Sequence, residues 1–137
     1  MLNFKNKPDM IMKNVNEQVS AIEVLRTRLT GIRRKRLEKT VDSKMLFDVL
    51  SSNGTQCIVN DNFLIFEYKN VTNEQLAMVC DYFQTELIYN GWNFELLHMQ
   101  HADKENKKDW FAIGMGKNGV SKVASYDDGI LSITIVK

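Results

Sequence analysis

The residues best suited by type and spacing to meet a charged ligand are seven cations within fourteen positions: Arg26, Arg28, Arg33, Arg34, Lys35, Arg36 and Lys39, with Glu38 the one acid among them. At this density guanidinium and ammonium groups neutralise several phosphates with little discrimination of base sequence, because they answer the backbone charge. Two plainer uses compete: a solvated helix end, or a clamp onto acidic residues of the same chain. The balance favours nucleic acid as the partner, with an acidic protein next.

Other motifs invite chemistry and carry less. Gly114-Met115-Gly116-Lys117-Asn118-Gly119 satisfies the spacing of a dinucleotide fingerprint, but that fingerprint must open a helix whose N-terminus receives the pyrophosphate, and here a strand pattern follows. A glycine turn is the better expectation. His98 and His101 are too few for a zinc site unless Cys57, Cys80, Asp103 or Glu105 join them, and a three-residue step in a strand sets two side chains on opposite faces. Neither cysteine has a neighbouring histidine, and no nucleophile elbow is present. A pocket uniting His98 or His101 with Asp103, Asp127 or Cys80 would be needed to revive catalysis. The sequence therefore predicts no metal, no cofactor and no enzymatic activity.

The cations must be carried by a long amphipathic helix. Apolar residues recur at Ile11, Val15, Val19, Ile22, Leu25, Leu29 and Ile32 in the alternating steps of three and four that one helical stripe requires. The stripe predicts a helix over residues 9–40, with Gly31 as a place where it bends or pauses. The same spacing satisfies about three heptads, so a homodimer through this helix stands beside packing on the protein's own sheet, the favoured reading.

Behind it the sequence predicts an acidic α+β body over residues 42–137. A short helix capped by Asp42 or Ser43 buries Met45, Leu46, Val49 and Leu50. Cys57–Val59 and Phe63–Tyr68 flank Asn60-Asp61-Asn62 as a β-hairpin built on left-handed turn geometry. Thr72-Asn73-Glu74-Gln75 is a capping box opening a helix that Asn90-Gly91 closes. Four strands follow, at 92–100, 110–115, 120–126 and 130–136, with Asp127-Asp128-Gly129 as a turn and Asp103–Asp109 as a mixed-charge hairpin connection. The order is α-α-β-β-α-β-β-β-β, and helices on one face of a mainly antiparallel sheet is the economical layering.

At 137 residues, 44% hydrophobic and 26% charged, the chain fits a single self-folding domain. Its net charge of +1 hides ten Lys/Arg against four Asp/Glu in residues 1–40 and eight against thirteen in 41–137. No apolar run is long enough to span a membrane, the opening residues lack a signal-peptide core, and both cysteines read as half-buried and reduced, so the expected setting is cytoplasmic. Trp92, Phe94, Trp110 and Tyr126 would stack on bases only if exposed on the sheet; core packing is the first explanation for them. The expected function is a small regulatory binding protein whose basic helix contacts phosphates. Its rival is a protein-binding inhibitor or adaptor, of the kind often carried by phages and mobile elements, using the helix stripe or a sheet edge.

Overall fold

A computed structural model describes residues 14–34, 40–100 and 110–137. They form an α+β fold in the predicted order: α1 (Val15–Thr30), α2 (Ser43–Leu50), a 3₁₀ turn (Ser51–Asn53), β1 (Thr55–Val59), β2 (Phe63–Lys69), α3 (Asn73–Tyr89), β3 (Asn93–Gln100), β4 (Trp110–Lys117), β5 (Val120–Asp127) and β6 (Ile130–Val136). The six strands make one antiparallel sheet ordered β1-β2-β6-β5-β4-β3. β3 to β6 are the expected meander, and the β1–β2 hairpin joins its last strand.

Local chemistry sets most of the boundaries. Asn14 caps α1, its side chain accepting from the Glu17 amide at 2.9 Å. Gly31, at φ +73°, ends the helix and bonds back to the Thr27 carbonyl. The predicted helix over 9–40 is corrected here: Gly31 takes the left-handed conformation that terminates a helix at no steric cost. Residues 9–13 and 35–39 of that prediction lie outside the described residues. The capping box at α3 is complete, Thr72 accepting from the Gln75 amide while the Gln75 side chain accepts from the Thr72 amide.

The turns divide into two kinds. Asn118-Gly119 and Asp128-Gly129 have positive φ at both positions, the two-residue geometry whose twist matches that of the strands. The β1–β2 turn is built otherwise. Asn60 Oδ1 accepts from the Asn62 amide, a side-chain turn that replaces the left-handed backbone expected there.

The helices cover one face of the sheet, with α3 between α1 and α2. α3 is buried along its whole middle, every residue from Gln75 to Leu87 included. Val79, Phe83 and Leu87 share a core with Phe111, Ile113, Met115, Ala124, Tyr126, Leu131 and Ile133 of the sheet and with Ile22 and Leu25 of α1. α1 packs chiefly on α3 and also touches β3, so its stripe joins the helices that cover one face of the sheet, as expected. Val19, Ile22 and Leu25 are buried in this packing, so the seam proposed for a helix-mediated homodimer is already occupied.

α2 buries Leu46 and Leu50, whereas Met45 and Val49 are exposed, which corrects two of its four predicted core residues. Phe47 instead rests on Phe66, ring centroids 5.4 Å apart. Asn53 and Gln75 tie the junction together: Gln75 Nε2 donates to Asn53 Oδ1 at 2.7 Å, and Asn53 Nδ2 donates to Gln75 Oε1 and to the carbonyls of Lys69 and Asn70.

Truncation should separate these contributions. Thr72→Ala removes one cap bond and should cost about 1 kcal/mol, whereas Phe83→Ala empties a core position and should cost about 3–5 kcal/mol. Urea titration followed by circular dichroism measures both.

Candidate nucleic-acid interface

The basic cluster splits by direction. Arg26 projects inward from α1 and is 1% exposed, where Nη1 donates to Asp81 Oδ1 at 2.5 Å and to Gln84 Oε1 at 3.2 Å. Its Nη2 donates to the Arg34 carbonyl at 2.7 Å. Asp81, itself 2% exposed, sits in the middle of α3 and also accepts from Arg34 Nη1 at 2.8 Å. Arg34 Nη2 then reaches Glu74 at 2.7 Å. One carboxylate thus pins both α1 and the chain that follows it.

Arg26 and Arg34, both expected to face a ligand, are corrected by this geometry. Burial removes Arg26 from any phosphate, because an inward guanidinium already paired and desolvated has no path to solvent. Arg34 keeps only part of its surface, with two acids engaging its donors. The clamp onto the protein's own acidic body, weighed as the plainer alternative, operates for these two residues. Lys35, Arg36 and Lys39 lie outside the described residues.

Arg28 and Arg33 are exposed. Together with Arg34, Ser20, Glu23, Val24 and Thr27 they line an open groove of about 580 Å³ between the outer side of α1 and residues 31–34. The segment is held in place from both ends. Thr30 Oγ1 accepts from the Ile32 amide, Asn73 Nδ2 donates to the Thr30 carbonyl at 3.4 Å, and Arg34 anchors the far end. The groove exists because Gly31 turns the chain back beside the helix instead of continuing it. Sequence periodicity missed this, since Ile32 extends the apolar stripe one step past the true helix end.

The remaining motifs do not assemble. Gly114 and Gly116 are strand residues within β4, and only Asn118-Gly119 forms a turn. A Cβ at Gly116 would fall 2.1 Å from Glu95 Oε2; the glycine leaves room for a carboxylate that accepts from Ser121 Oγ at 3.1 Å. Glu95 is the extra residue of a β-bulge, between Phe94 opposite Met115 and Leu96 opposite Gly114. His98 is exposed on β3, its ring 5.0 Å from that of Trp110, on the sheet face opposite the helices. Cys80 is buried under α3 on the other side, and His101 and Asp103 lie outside the described residues. Among the described residues no cluster of three or more His, Cys, Asp or Glu is placed to hold a metal, and no helix is long and apolar enough to cross a membrane.

The four aromatic side chains considered for stacking contribute little open surface. Tyr126 is buried, and Trp92 and Phe94 pack against the core. Lys122 lies over the Trp92 ring at 4.7 Å and donates to the Tyr82 hydroxyl at 2.6 Å. Burial pulls the Lys122 pKa down, with partial compensation from Glu86. Trp110 is only partly exposed, donating to Gln100 Oε1 at 2.6 Å. A base-stacking platform is not what these residues form.

Neither protein-family models, nor curated sequences, nor solved structures give a match to this chain.

The inward and outward arginines predict opposite behaviour. Asp81→Ala leaves the Arg26 charge buried without its partner and should cost about 3–5 kcal/mol, whereas Arg28→Ala on the surface should stay within about 0.5 kcal/mol. Thermal and urea denaturation of the two variants checks the contrast.

The two thiols should differ as sharply. Cys57 is exposed, not half-buried as expected, and should react with a thiol reagent in the native protein, whereas Cys80 should react only after denaturation. Burial pushes the Cys80 thiol from 9.0 up to about 12. The unfolded chain therefore releases this proton first, so the stability is fully present below pH 9 and falls as pH rises towards 12. Urea midpoints at pH 8 and pH 10.5 should show a smaller loss for Cys80→Ala than for wild type.

Proposed function

We propose that this chain is a non-catalytic binding protein that holds nucleic-acid phosphates against the outer side of α1 and the segment that follows it. The observation that supports this reading is the groove in which exposed Arg28 and Arg33 converge beside Arg34, while the apolar stripe of the same helix is buried against α3. An adaptor that used the helix stripe would need Ile22 and Leu25 exposed, and both are buried.

Phosphate recognition fits the composition of the groove. Two guanidiniums on a rigid backbone offer forked donors to oxygen anions, and Lys35, Arg36 and Lys39 follow directly in sequence. Arg34 gives rigidity more than charge, since Asp81 and Glu74 already engage it. Binding of this kind is electrostatic, weakly selective and strongly dependent on salt. Glu23 at the groove wall limits how many phosphates fit and favours a single backbone strand lying along the arginines.

Fluorescence anisotropy with generic single- and double-stranded DNA and RNA across a salt series tests the proposal. Wild type should bind at low salt with affinity falling linearly on a log–log scale. Arg28→Ala/Arg33→Ala should lower that slope by about two, one for each lost contact, and further replacement of Lys35, Arg36 and Lys39 should deepen the loss. Absence of binding at low salt, or an unchanged slope in the folded double variant, would sink the reading.

A further inference from the structure

The two edges of the sheet are not alike. β3 carries a bulge at Glu95, whose carboxylate sits on the strand beside it; bulges and charges are devices that keep an edge from pairing with another chain. β1, Thr55-Gln56-Cys57-Ile58-Val59, has neither charge, proline nor bulge. All five of its residues are exposed, Val59 at 71%, so among the described residues no helix overhangs it on either face.

The direction of its free backbone groups follows from the hairpin. The Asn60 amide donates to the Phe63 carbonyl at 3.0 Å, and bonded and non-bonded pairs alternate along an antiparallel ladder. Ile58 opposite Ile65 and Gln56 opposite Glu67 are therefore the residues that exchange bonds with β2. The N–H and C=O groups of Thr55, Cys57 and Val59 point away from the sheet. Among the described residues no strand lies on that side.

We infer that β1 pairs antiparallel with β1 of a second copy of this chain, in a two-fold register centred on Cys57. In that register Thr55 faces Val59 of the other copy and Cys57 faces Cys57, so all outward groups of both strands are satisfied in three mutually bonded pairs. No like charges meet across the axis, because the strand has none, and β-branched Thr55 and Val59 make a favourable cross-strand pair. The bulge and charge of Glu95 disfavour head-to-tail pairing of β1 with β3, which would grow an open filament, and so favour the closed two-fold contact. A five-residue strand pair lies at the small end of interface sizes, so the dimer is weak and concentration-dependent. This surface is remote in sequence from Arg28 and Arg33, and its test is independent of phosphate binding.

Sedimentation velocity of the full chain under reducing conditions, from micromolar to near-millimolar, should show monomer giving way to dimer. Cys57→Lys sets two like charges directly opposed and should weaken the dimer by about tenfold or more. Cys57→Glu should do the same, and a one-to-one mixture of the two variants should restore it. Thr55→Pro removes an outward N–H without touching a backbone bond of the β1–β2 ladder and should also weaken it, with circular dichroism confirming that each variant is folded. A short bis-maleimide should link wild-type chains through Cys57. A wild type that stays monomeric throughout, a dimer that persists in Cys57→Lys, or a charge-swapped mixture that stays monomeric would each overturn the inference.

Discussion

Asp81 lies in the middle of a helix with no solvent face, and the layering of the molecule depends on how its charge is met. A buried carboxylate is tolerated only when paired and hydrogen-bonded, and here the donors come from two places at once: Arg26 of α1 and Arg34 beyond it. Neighbouring polar groups of α3 are answered in the same way. Gln84 donates to the Val19 carbonyl, and Thr85 Oγ1 accepts from the Val41 amide while donating to the Asp81 carbonyl. Each bond fixes the position of an outer element over α3, which apolar contact alone would leave free to slide.

This arrangement explains why a basic N-terminal region and an acidic body coexist in one chain. Part of the charge asymmetry is internal complementarity. Arg26 and Arg34 answer Asp81 and Glu74, whereas Arg28 and Arg33 are exposed. The partition between inward and outward is a matter of helical angle: Arg26 follows the buried Leu25 on the α3 side, whereas Arg28 falls on the opposite side with Val24.

The sheet is organised by a second asymmetry. Its helix-facing side carries Phe111, Ile113, Met115, Tyr126, Leu131 and Ile133, while the other side mixes Ala112, Ser125, Ser132 and Thr134 with the larger Phe63, Ile65, Trp110 and Val123. An antiparallel sheet can leave one face open, which makes its edges the places where a further backbone is added. The bulge at Glu95 blunts one of them, so the edges differ by local backbone geometry as well as by side-chain character.

Wherever a feature rests on short-range chemistry, the sequence determined it by itself. The α+β class, the order of the elements, the capping box at Thr72–Gln75 and the turn signal at Asp127-Asp128-Gly129 all depend on residues within a few positions of one another. The tertiary structure decided the rest. The apolar stripe of α1 is the same whether it meets a sheet, a second copy or α3, and periodicity cannot name the partner. Thr72–Asn90 announces a helix, but burial on every side follows only from its place among α1, α2 and the sheet. Ile32 continues the stripe although Gly31 has already ended the helix. Seven cations in fourteen residues look equivalent along the chain; Asp81, 55 residues from Arg26, divides them, because a charge pair is chosen by distance in space and the sequence records only distance along the backbone.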